Sequence, residues 1–289
     1  MGLKKPLFRY HKVHYINNYP IFAQKLKRMI TKKQLRNCLA MLSFCLVACQ
    51  PNTTQEPAAQ TPSPIDTLSD WKPEDDSLFV PEAAANIPRG FVRLDEVCPD
   101  IMQEIRYYST FNFVGQRIPG YERPIAYLSV QAAEQLKGVC DELKERGYRL
   151  KVFDAYRPQM AVDFFIRWAR DLQDQRMKVQ FYPDCPKSEL FRRGYLAHKS
   201  GHTRGSTVDV TLFDIQKQRD ADMGSTYDLL GEPSHYAYCQ GLTNEQIANR
   251  RLLREVMNRH GFRPIACEWW HFTLRDEPYP NTYFTFPIR

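Results

Sequence analysis

The chain has 289 residues, which is long enough for one large domain or two small ones. Hydrophobic residues make up 43% of it and charged residues 25%, a composition that excludes wholesale disorder, a collagen-like repeat and a multispanning membrane protein. The net charge of +7 originates at the N-terminus, because residues 1–48 contain ten Lys and Arg and no acidic residue. The other 30 basic and 33 acidic residues leave no basic excess, so we expect no nucleic-acid partner.

The N-terminal segment has the pattern of an export signal. Lys32, Lys33 and Arg36 precede an apolar run over 39–48, about ten residues long, whereas a helix that spans a bilayer needs about 20. The run ends in Leu-Val-Ala-Cys, which resembles the lipobox of bacterial lipoproteins, with Cys49 as the acylated residue. We therefore expect a lipoprotein anchored to a membrane of the cell envelope through Cys49. The alternative is an ordinary buried cysteine at the end of an apolar stretch.

These patterns divide the chain into three segments. Residues 1–48 are predicted to form the leader, with Met29 as an alternative start. Residues 49–85 are predicted to form a disordered tether, since Gln50–Pro64 consists mainly of Pro, Thr, Gln and Ala with a single charge. Residues 86–289 contain no second linker and no internal repeat, which predicts one folded domain.

The folded segment begins with a helix, a strand and a second helix. Apolar residues recur at helical spacing over Ser129–Arg146, and Gly147 is typical of the residue that ends a helix. Tyr148–Phe153 alternates toward a strand. Met160–Leu172 is again helical, and Pro158 is expected in its first turn.

The C-terminal part adds two strand-like segments and one helix. Thr207–Phe213 alternates as a short strand, and Phe262–Leu274 is strand-like and aromatic. Between them, a capping box of Thr243 and Gln246 opens a helix that runs to about His260. Helices and short strands interleave without a βαβ repeat or a G-x-G-x-x-G turn. We therefore expect an α+β fold, a single compact domain with a small, mainly antiparallel sheet flanked by helices.

The cysteines of the folded segment do not form a recognisable framework. They are Cys98, Cys140, Cys185, Cys239 and Cys267. They include no C-x-x-C pair, which argues against a structural zinc knuckle, and their odd number excludes a complete set of internal disulfides. In an oxidising compartment one or two disulfides are possible, and their pairing stays open.

The first candidate site lies in the segment Ser-Gly-His-Thr-Arg-Gly-Ser-Thr-Val-Asp. His202 and Asp209 stand seven positions apart, with Gly205 to let the chain turn and a strand that begins before Asp209. Imidazole and carboxylate are both good zinc ligands. Taken alone, this spacing is more typical of a histidine satisfied by a nearby aspartate.

A second cluster makes a metal site the better interpretation. Glu268 lies three residues before His271 in an aromatic, water-excluding segment, where an unpaired charge is costly. With His202 and Asp209, His271 would complete a set of two histidines and one carboxylate that leaves an open zinc position, and Glu268 would serve as a general base. Positions 268 and 271 of a straight strand face opposite sides, so we expect a bend. The alternative is an aromatic core strand with an incidental Glu and His.

Arg157 is a candidate for binding negative charge. It follows the strand predicted to end at Phe153 and precedes the next helix, a common place for a side chain that enters a cleft. A guanidinium there can donate to an oxyanion. The alternative is an arginine at a solvated helix start.

Five separated motifs carry a resemblance to a known family. They are Arg-Tyr-Tyr-Ser-Thr-x-Asn-Phe-x-Gly at Arg106–Gly115, Tyr156-Arg157-Pro158, Ser-x-His-x-x-Gly-x-x-x-Asp at Ser200–Asp209, Asp-Met-Gly-Ser-Thr-Tyr-Asp at Asp222–Asp228, and Glu-x-Trp-His at Glu268–His271. With them the chain resembles the zinc D,D-peptidases and, within that family, the D-alanyl-D-alanine dipeptidases of the vancomycin-resistance type.

The resemblance implies a reaction and a role for each matching residue. The reaction is the hydrolysis of D-Ala-D-Ala to two D-alanines, with one zinc ion per chain in a central cleft of the domain 86–289. The implied roles are His202, Asp209 and His271 as zinc ligands, Glu268 as catalytic base, Arg157 as stabiliser of the transition state, Asp228 as partner of the substrate ammonium, and Ser200 as a further substrate contact.

The predicted location of this protein differs from that of the resistance dipeptidases, which act in the cytoplasm, because its N-terminus predicts export. An exported enzyme cannot deplete a cytoplasmic dipeptide pool, so we expect a role in peptidoglycan turnover or D-Ala recycling. Two alternatives stay open. One is a D,D-carboxypeptidase that trims longer wall peptides. The other is a non-catalytic lipoprotein that binds wall peptides, which the presence of all three ligand positions and the base disfavours.

Overall fold

The computed structural model describes residues 87–289. The predicted leader, Cys49 and the tether lie outside these residues, so the expectations about them stay predictions. In the part of the chain that is described, no helix combines the length and the apolar character needed to cross a membrane.

The described chain contains a six-stranded sheet at its centre and a second sheet of two strands. In chain order the strands are β1 (Phe91–Arg93), β2 (Met102–Gln103), β3 (Tyr127–Ser129), β4 (Tyr148–Asp154), β5 (Thr207–Asp214), β6 (Arg219–Asp220), β7 (Phe262–Pro264) and β8 (His271–Leu274). The larger sheet has the order β2-β4-β5-β8-β7, with β6 paired to β5, and β1 pairs with β3. Only the short β2 runs parallel to its neighbour.

Five α-helices accompany the strands in residues 87–289. They are α1 (Leu94–Val97), α2 (Val130–Glu145), α3 (Gln159–Arg170), α4 (Lys178–Phe181) and α5 (Asn244–Arg259). In α2 the buried residues Leu136, Val139 and Leu143 recur at helical spacing and form the face that packs toward the sheet. Helix α2 contacts β4, α5 contacts β7, and the two helices contact each other.

The predicted α+β fold, with a small and mainly antiparallel sheet flanked by helices, is confirmed. The predicted capping box opens α5. The Thr243 hydroxyl accepts the Gln246 backbone N–H at 3.2 Å, and the Gln246 side chain accepts the Thr243 N–H at 2.8 Å. Two of the four free N–H groups at the helix start are thereby satisfied.

Three local expectations need correction. The segment 262–274 forms two strands, β7 and β8, joined by a loop that contains Glu268, so the expected bend separates two hairpin strands. Pro158 stands at the N-cap of α3, one residue before its first turn. Helix α3 ends at Arg170 because Asp171 leaves the helical conformation, and Leu172 is exposed.

The five cysteines of the described part are all free.

Candidate metal centre

Strand register aligns three polar side chains across the middle of the sheet. On β5, Asp209 pairs with His271 of β8 on one side and with Asp154 of β4 on the other. A bulge between Val152 and Asp154 shifts the β4 register just before Asp154. Bulges re-aim side chains, so this one decides which way Asp154 points.

His202 reaches the same place from a short 3-10 helix, Gly201–Arg204, that leads into β5. The Ser200 hydroxyl caps this helix by accepting the His202 backbone N–H at 3.3 Å. Gly205 then adopts a φ of +77°, and a Cβ there would lie 2.3 Å from the ring of Phe91, so the turn requires glycine. The Ala155 carbonyl lies 2.7 Å from Nδ1 of His202, which therefore carries the hydrogen and leaves the Nε2 lone pair free.

Three potential ligand atoms meet at one point. Nε2 of His202 lies 3.3 Å from Nδ1 of His271 and 3.3 Å from Oδ1 of Asp209, and Nδ1 of His271 lies 3.1 Å from the same oxygen. Oδ1 of Asp209 is buried and has no hydrogen-bond partner among the described residues. Two imidazoles and an unsatisfied carboxylate oxygen form a donor set that a divalent metal ion would satisfy.

The electrostatics of the cluster call for a cation. Burial opposes ionisation of Asp209, yet His202 and His271 outweigh it and lower the pKa of this carboxyl. Burial would lower the pKa of His271, but Asp209 and Glu268 raise it to about 9. The space between the carboxylates therefore favours positive charge, which a proton or a metal ion can supply.

Glu268 borders the cluster from the loop between β7 and β8. Its Oε2 lies 3.4 Å from Nδ1 of His271, and its side chain is 13% exposed. The next two residues, Trp269 and Trp270, are buried, and Trp269 is anchored by donating its indole N–H to the Ser225 hydroxyl at 2.9 Å. The Glu268 carboxylate therefore lies beside the metal cluster on a loop whose neighbouring side chains are buried.

A buried aspartate holds Arg157 at the site. Nε and Nη2 of Arg157 lie 2.9 and 2.8 Å from Oδ2 of Asp154, whose Oδ1 accepts the Tyr121 hydroxyl at 2.7 Å. Burial raises the pKa of Asp154, and Arg157 opposes that shift. Nη2 of Arg157 is 3.7 Å from Oδ2 of Asp209, so the guanidinium lies next to the metal cluster.

Asp228 places a further carboxyl group next to the metal cluster. Its side chain is buried, and Oδ2 accepts the Tyr107 hydroxyl at 3.0 Å. Burial, Asp209 and Glu268 all raise the pKa of this carboxyl. Its backbone has a φ of +61°, a left-handed conformation that aspartate adopts more readily than most residues. A buried acid in such a conformation is typical of a binding site, and a bound cation would relieve it.

One cavity of about 200 Å³ connects these groups. All seven site residues predicted from the sequence line it, namely Arg157, Ser200, His202, Asp209, Asp228, Glu268 and His271. Apolar side chains such as Phe113, Phe165 and Ile265 form other parts of the wall. The structure therefore brings the predicted residues together without assigning their roles.

Three further residues contact the site and were not among the sequence candidates. Asp154 orients Arg157, Tyr107 donates to Asp228, and the Tyr227 hydroxyl lies 3.1 Å from Oδ2 of Asp209. Tyr227 directly precedes the candidate Asp228, and Asp154 lies three residues before the candidate Arg157, whereas Tyr107 lies in the Arg106–Gly115 motif, which contains no candidate. Proximity along the chain was therefore a signal only for Asp154 and Tyr227, and it does not reveal which way a side chain points.

Comparison with known proteins gives consistent matches. The family model described as D-ala-D-ala dipeptidase, of peptidase family M15, matches residues 88–289. A D-alanyl-D-alanine dipeptidase of Enterococcus faecium is 38% identical over 200 residues, which are 69% of this chain and 98% of the relative. One from Streptomyces coelicolor is 40% identical over 200 residues, 68% of this chain and 98% of the relative. One from Escherichia coli is 30% identical over 183 residues, 63% and 83% of the two chains.

Proposed function

The chain belongs to the D-Ala-D-Ala dipeptidase family, peptidase family M15, and from this premise we propose that it is a zinc-dependent dipeptidase that hydrolyses D-alanyl-D-alanine to two D-alanines. As a member of this family it is a metallopeptidase. The observation that carries the proposal is the single small cavity in which a three-ligand cluster, a second carboxylate, an arginine and a buried acid converge.

The spacing of the ligand atoms supports zinc. Tetrahedral zinc with bonds of about 2.0–2.1 Å to nitrogen and oxygen separates its ligands by roughly 3.3–3.4 Å. The three separations among His202, Asp209 and His271 are 3.3, 3.3 and 3.1 Å. Two histidines and one carboxylate are also a usual catalytic set, since they leave one position open.

The proposed chemistry divides between the metal and two side chains. A bound zinc ion would polarise the scissile carbonyl and lower the pKa of a water molecule toward about 7. Glu268 would accept the proton of that water and deliver it to the nitrogen of the leaving D-alanine. Arg157 would donate to the carbonyl oxygen as negative charge develops on it, and its contact with Asp154 fixes its direction beforehand.

Size and charge of the cavity support a free dipeptide as substrate. Asp228 would bind the substrate ammonium, which supplies the cation that this buried carboxyl lacks. Ser200, at the cavity wall, would be a further contact to the substrate. The cavity of about 200 Å³ lies below the roughly 300–1,000 Å³ of sites for drug-sized ligands. A wall pentapeptide would extend beyond it, which favours dipeptidase over carboxypeptidase activity.

Release of D-alanine from D-Ala-D-Ala by the purified protein tests this proposal, with zinc content measured on the same sample. We expect turnover of D-Ala-D-Ala, none of L-Ala-L-Ala, and about one zinc per chain. Preference for a wall pentapeptide would establish the carboxypeptidase instead. Bound zinc without turnover of any wall peptide would favour a binding protein.

The role of Glu268 is tested by Glu268→Gln, which keeps the shape of the side chain and removes its basicity. We expect kcat to fall by about 10²–10⁴-fold with zinc still bound. Glu255→Gln is the matched control, because Glu255 lies on α5, outside the cavity, and its ion pair is with Arg251, at 3.9 Å. Activity retained in Glu268→Gln would assign the base elsewhere.

For the cellular setting we propose that the protein is exported and anchored through acylated Cys49, and that it acts in the cell envelope on peptides from peptidoglycan turnover. The support is the basic, apolar and Leu-Val-Ala-Cys pattern before a Pro- and Thr-rich segment. Mass spectrometry of the mature N-terminus should find a lipid on Cys49, and Cys49→Ala should release the protein from the membrane. An unprocessed N-terminus would contradict the proposal.

A further inference from the structure

Asp209 presents its two carboxylate oxygens to different partners. Oδ1 faces the two histidine nitrogens, whereas Oδ2 lies 3.1 Å from the hydroxyl of Tyr227. Tyr227 is 2% exposed, and its ring stacks on Phe153 with centroids 4.6 Å apart. Its edge-on contact with Trp270, at 5.3 Å, fixes it further. The hydroxyl therefore reaches Asp209 from a side chain that has no room to move.

The hydrogen of this hydroxyl points to Asp209. Oδ1 of Asp209 faces the two histidine nitrogens, and a carboxylate that presents an oxygen to a metal ion is deprotonated and only accepts hydrogen bonds. Tyr107 lies 3.3 Å away, hydroxyl to hydroxyl, and is 3.0 Å from Oδ2 of Asp228. A hydroxyl has one hydrogen, and the hydrogen of Tyr107 goes to Oδ2 of Asp228, so the hydrogen of Tyr227 is donated to Oδ2 of Asp209.

No other described group competes for Oδ2 of Asp209 at hydrogen-bond distance. Nη2 of Arg157 is the next cation, at 3.7 Å, and its short contact of 2.8 Å goes to Asp154. A separation of 3.7 Å is too long for a hydrogen bond. Without the Tyr227 hydroxyl, the carboxylate of Asp209 would be free to rotate and turn either oxygen toward the histidines.

We propose that Tyr227 is a positioning residue for the metal centre. Its hydroxyl holds Oδ2 of Asp209 and thereby fixes Oδ1 as the oxygen presented to the metal. The inference rests on the proposed zinc dipeptidase, and it adds a determinant of metal affinity that acts through Asp209. Such partners of ligands typically contribute 10–100-fold to metal affinity.

Tyr227→Phe tests the proposal, because it removes one oxygen and keeps the ring contacts. Competition of the full-length protein with a chromophoric chelator gives the Kd for zinc without any turnover. We expect the Kd to rise by about 10–100-fold. The matched control is Tyr127→Phe, which removes a hydroxyl from a ring only 2% exposed that donates to the Arg289 carbonyl at 2.9 Å, and we expect its Kd to be unchanged. A Kd for Tyr227→Phe within twofold of the unaltered protein overturns the proposal, whatever happens to Tm.

A further variant separates positioning from a loss of fold. Replacing Tyr227 by 4-aminophenylalanine keeps a hydrogen-bond donor at the ring, and its Kd should return to within about threefold of the original. A Kd that stays as high as that of Tyr227→Phe would mean that Tyr227 does not act through its hydrogen bond to Asp209.

Failure of this inference can be told from failure of the proposed function. If the unaltered protein binds no zinc, the zinc dipeptidase is wrong and the inference falls with it. If the unaltered protein binds zinc and releases D-alanine while Tyr227→Phe binds zinc as tightly, only the positioning role is wrong.

Discussion

The two halves of the site are held by different kinds of contact. The proposed metal half consists of His202, Asp209 and His271, and the proposed recognition half consists of Arg157 and Asp228. Asp209 and His271 are cross-strand neighbours by register, and His202 lies on the short helix that enters the same strand. Backbone hydrogen bonds of the sheet therefore set the metal half. The side chain proposed to position Asp209, Tyr227, lies only 18 positions away along the chain.

The recognition half relies on side chains from far along the chain. Asp228 lies outside regular structure, and Tyr107, 121 positions away, holds its carboxylate. Its left-handed backbone and the raised pKa of its carboxyl both cost free energy. The comparison indicates that sheet backbone positions the three candidate ligands, whereas Asp228, the proposed partner of the substrate ammonium, is held at a cost in stability.

The largest effect is expected from the metal half. His202→Ala removes one of three ligands, and we expect zinc to be lost and kcat/KM to fall by at least about 10³-fold, since a metal contributes several kcal/mol to the transition state. His260→Ala is the control, because His260 pairs with Glu142 at the surface. Zinc analysis and D-alanine release measure both. Full activity of zinc-free His202→Ala would refute a catalytic metal.

Arg157→Lys tests the catalytic part of the recognition half. Lysine keeps the charge but cannot make both short contacts to Asp154, so the donor to the carbonyl oxygen is misdirected. We expect kcat to fall by about 10²–10³-fold with zinc retained. Arg167→Lys, at an exposed position of α3, is the control. A rise in KM alone would mean that Arg157 binds the ground state instead.

Asp228→Asn should lower activity and raise stability together. Loss of the charge opposite the substrate ammonium should reduce kcat/KM by about 10–100-fold. The pKa of Asp228 is raised on folding, so the native state loses stability as pH rises from about 4 through this higher pKa. The metal-free variant should therefore melt roughly 2–4 °C higher at pH 7 and gain nothing below about pH 4. A lower Tm at pH 7 would contradict the cost assigned to Asp228.

The sequence predicted the main elements and the candidate set because both depend on short-range pattern. Helical spacing over 129–146 and the capping box at Thr243 gave α2 and α5 nearly to the residue. His202 and Asp209 flank one turn, and Glu268 and His271 flank another, so a motif of ten residues or fewer contains each pair. The roles of these residues stay predictions.

Contacts between side chains far apart in the sequence could not be predicted from such short-range patterns. Nothing in the spacing of Tyr107 indicates that its hydroxyl meets Asp228, because the contact depends on how distant segments pack. The bulge that turns Asp154 toward Arg157 is likewise a property of the paired strands. Such contacts belong mostly to the recognition half, which is why the metal half was the easier one to predict.

A change at Arg250 tests whether the two halves of the site are independent, and its expected effect on activity is the smallest of the four. It lies on α5 and donates to the carbonyls of Met223, Pro233 and His235, at 2.6, 2.8 and 3.2 Å. It thereby ties the segment that carries Asp228 to the helix. Burial lowers its pKa to about 10, but it stays charged at neutral pH.

Arg250→Met would remove the guanidinium donor of the Met223 and Pro233 carbonyls, whereas the His235 carbonyl would keep the Tyr238 N–H at 3.0 Å. We therefore expect a loss of about 2–4 kcal/mol in the free energy of unfolding. KM should rise by less than tenfold, because only the segment around Asp228 loosens, and zinc affinity should stay unchanged. Arg251→Met, one residue on and paired only with Glu255 at 3.9 Å, should change stability by less than about 0.5 kcal/mol. Thermal unfolding, zinc competition and steady-state kinetics on the two variants measure these effects. If Arg250→Met weakened zinc binding as much as it raised KM, the two halves would be mechanically coupled, and the contrast drawn between them would not hold.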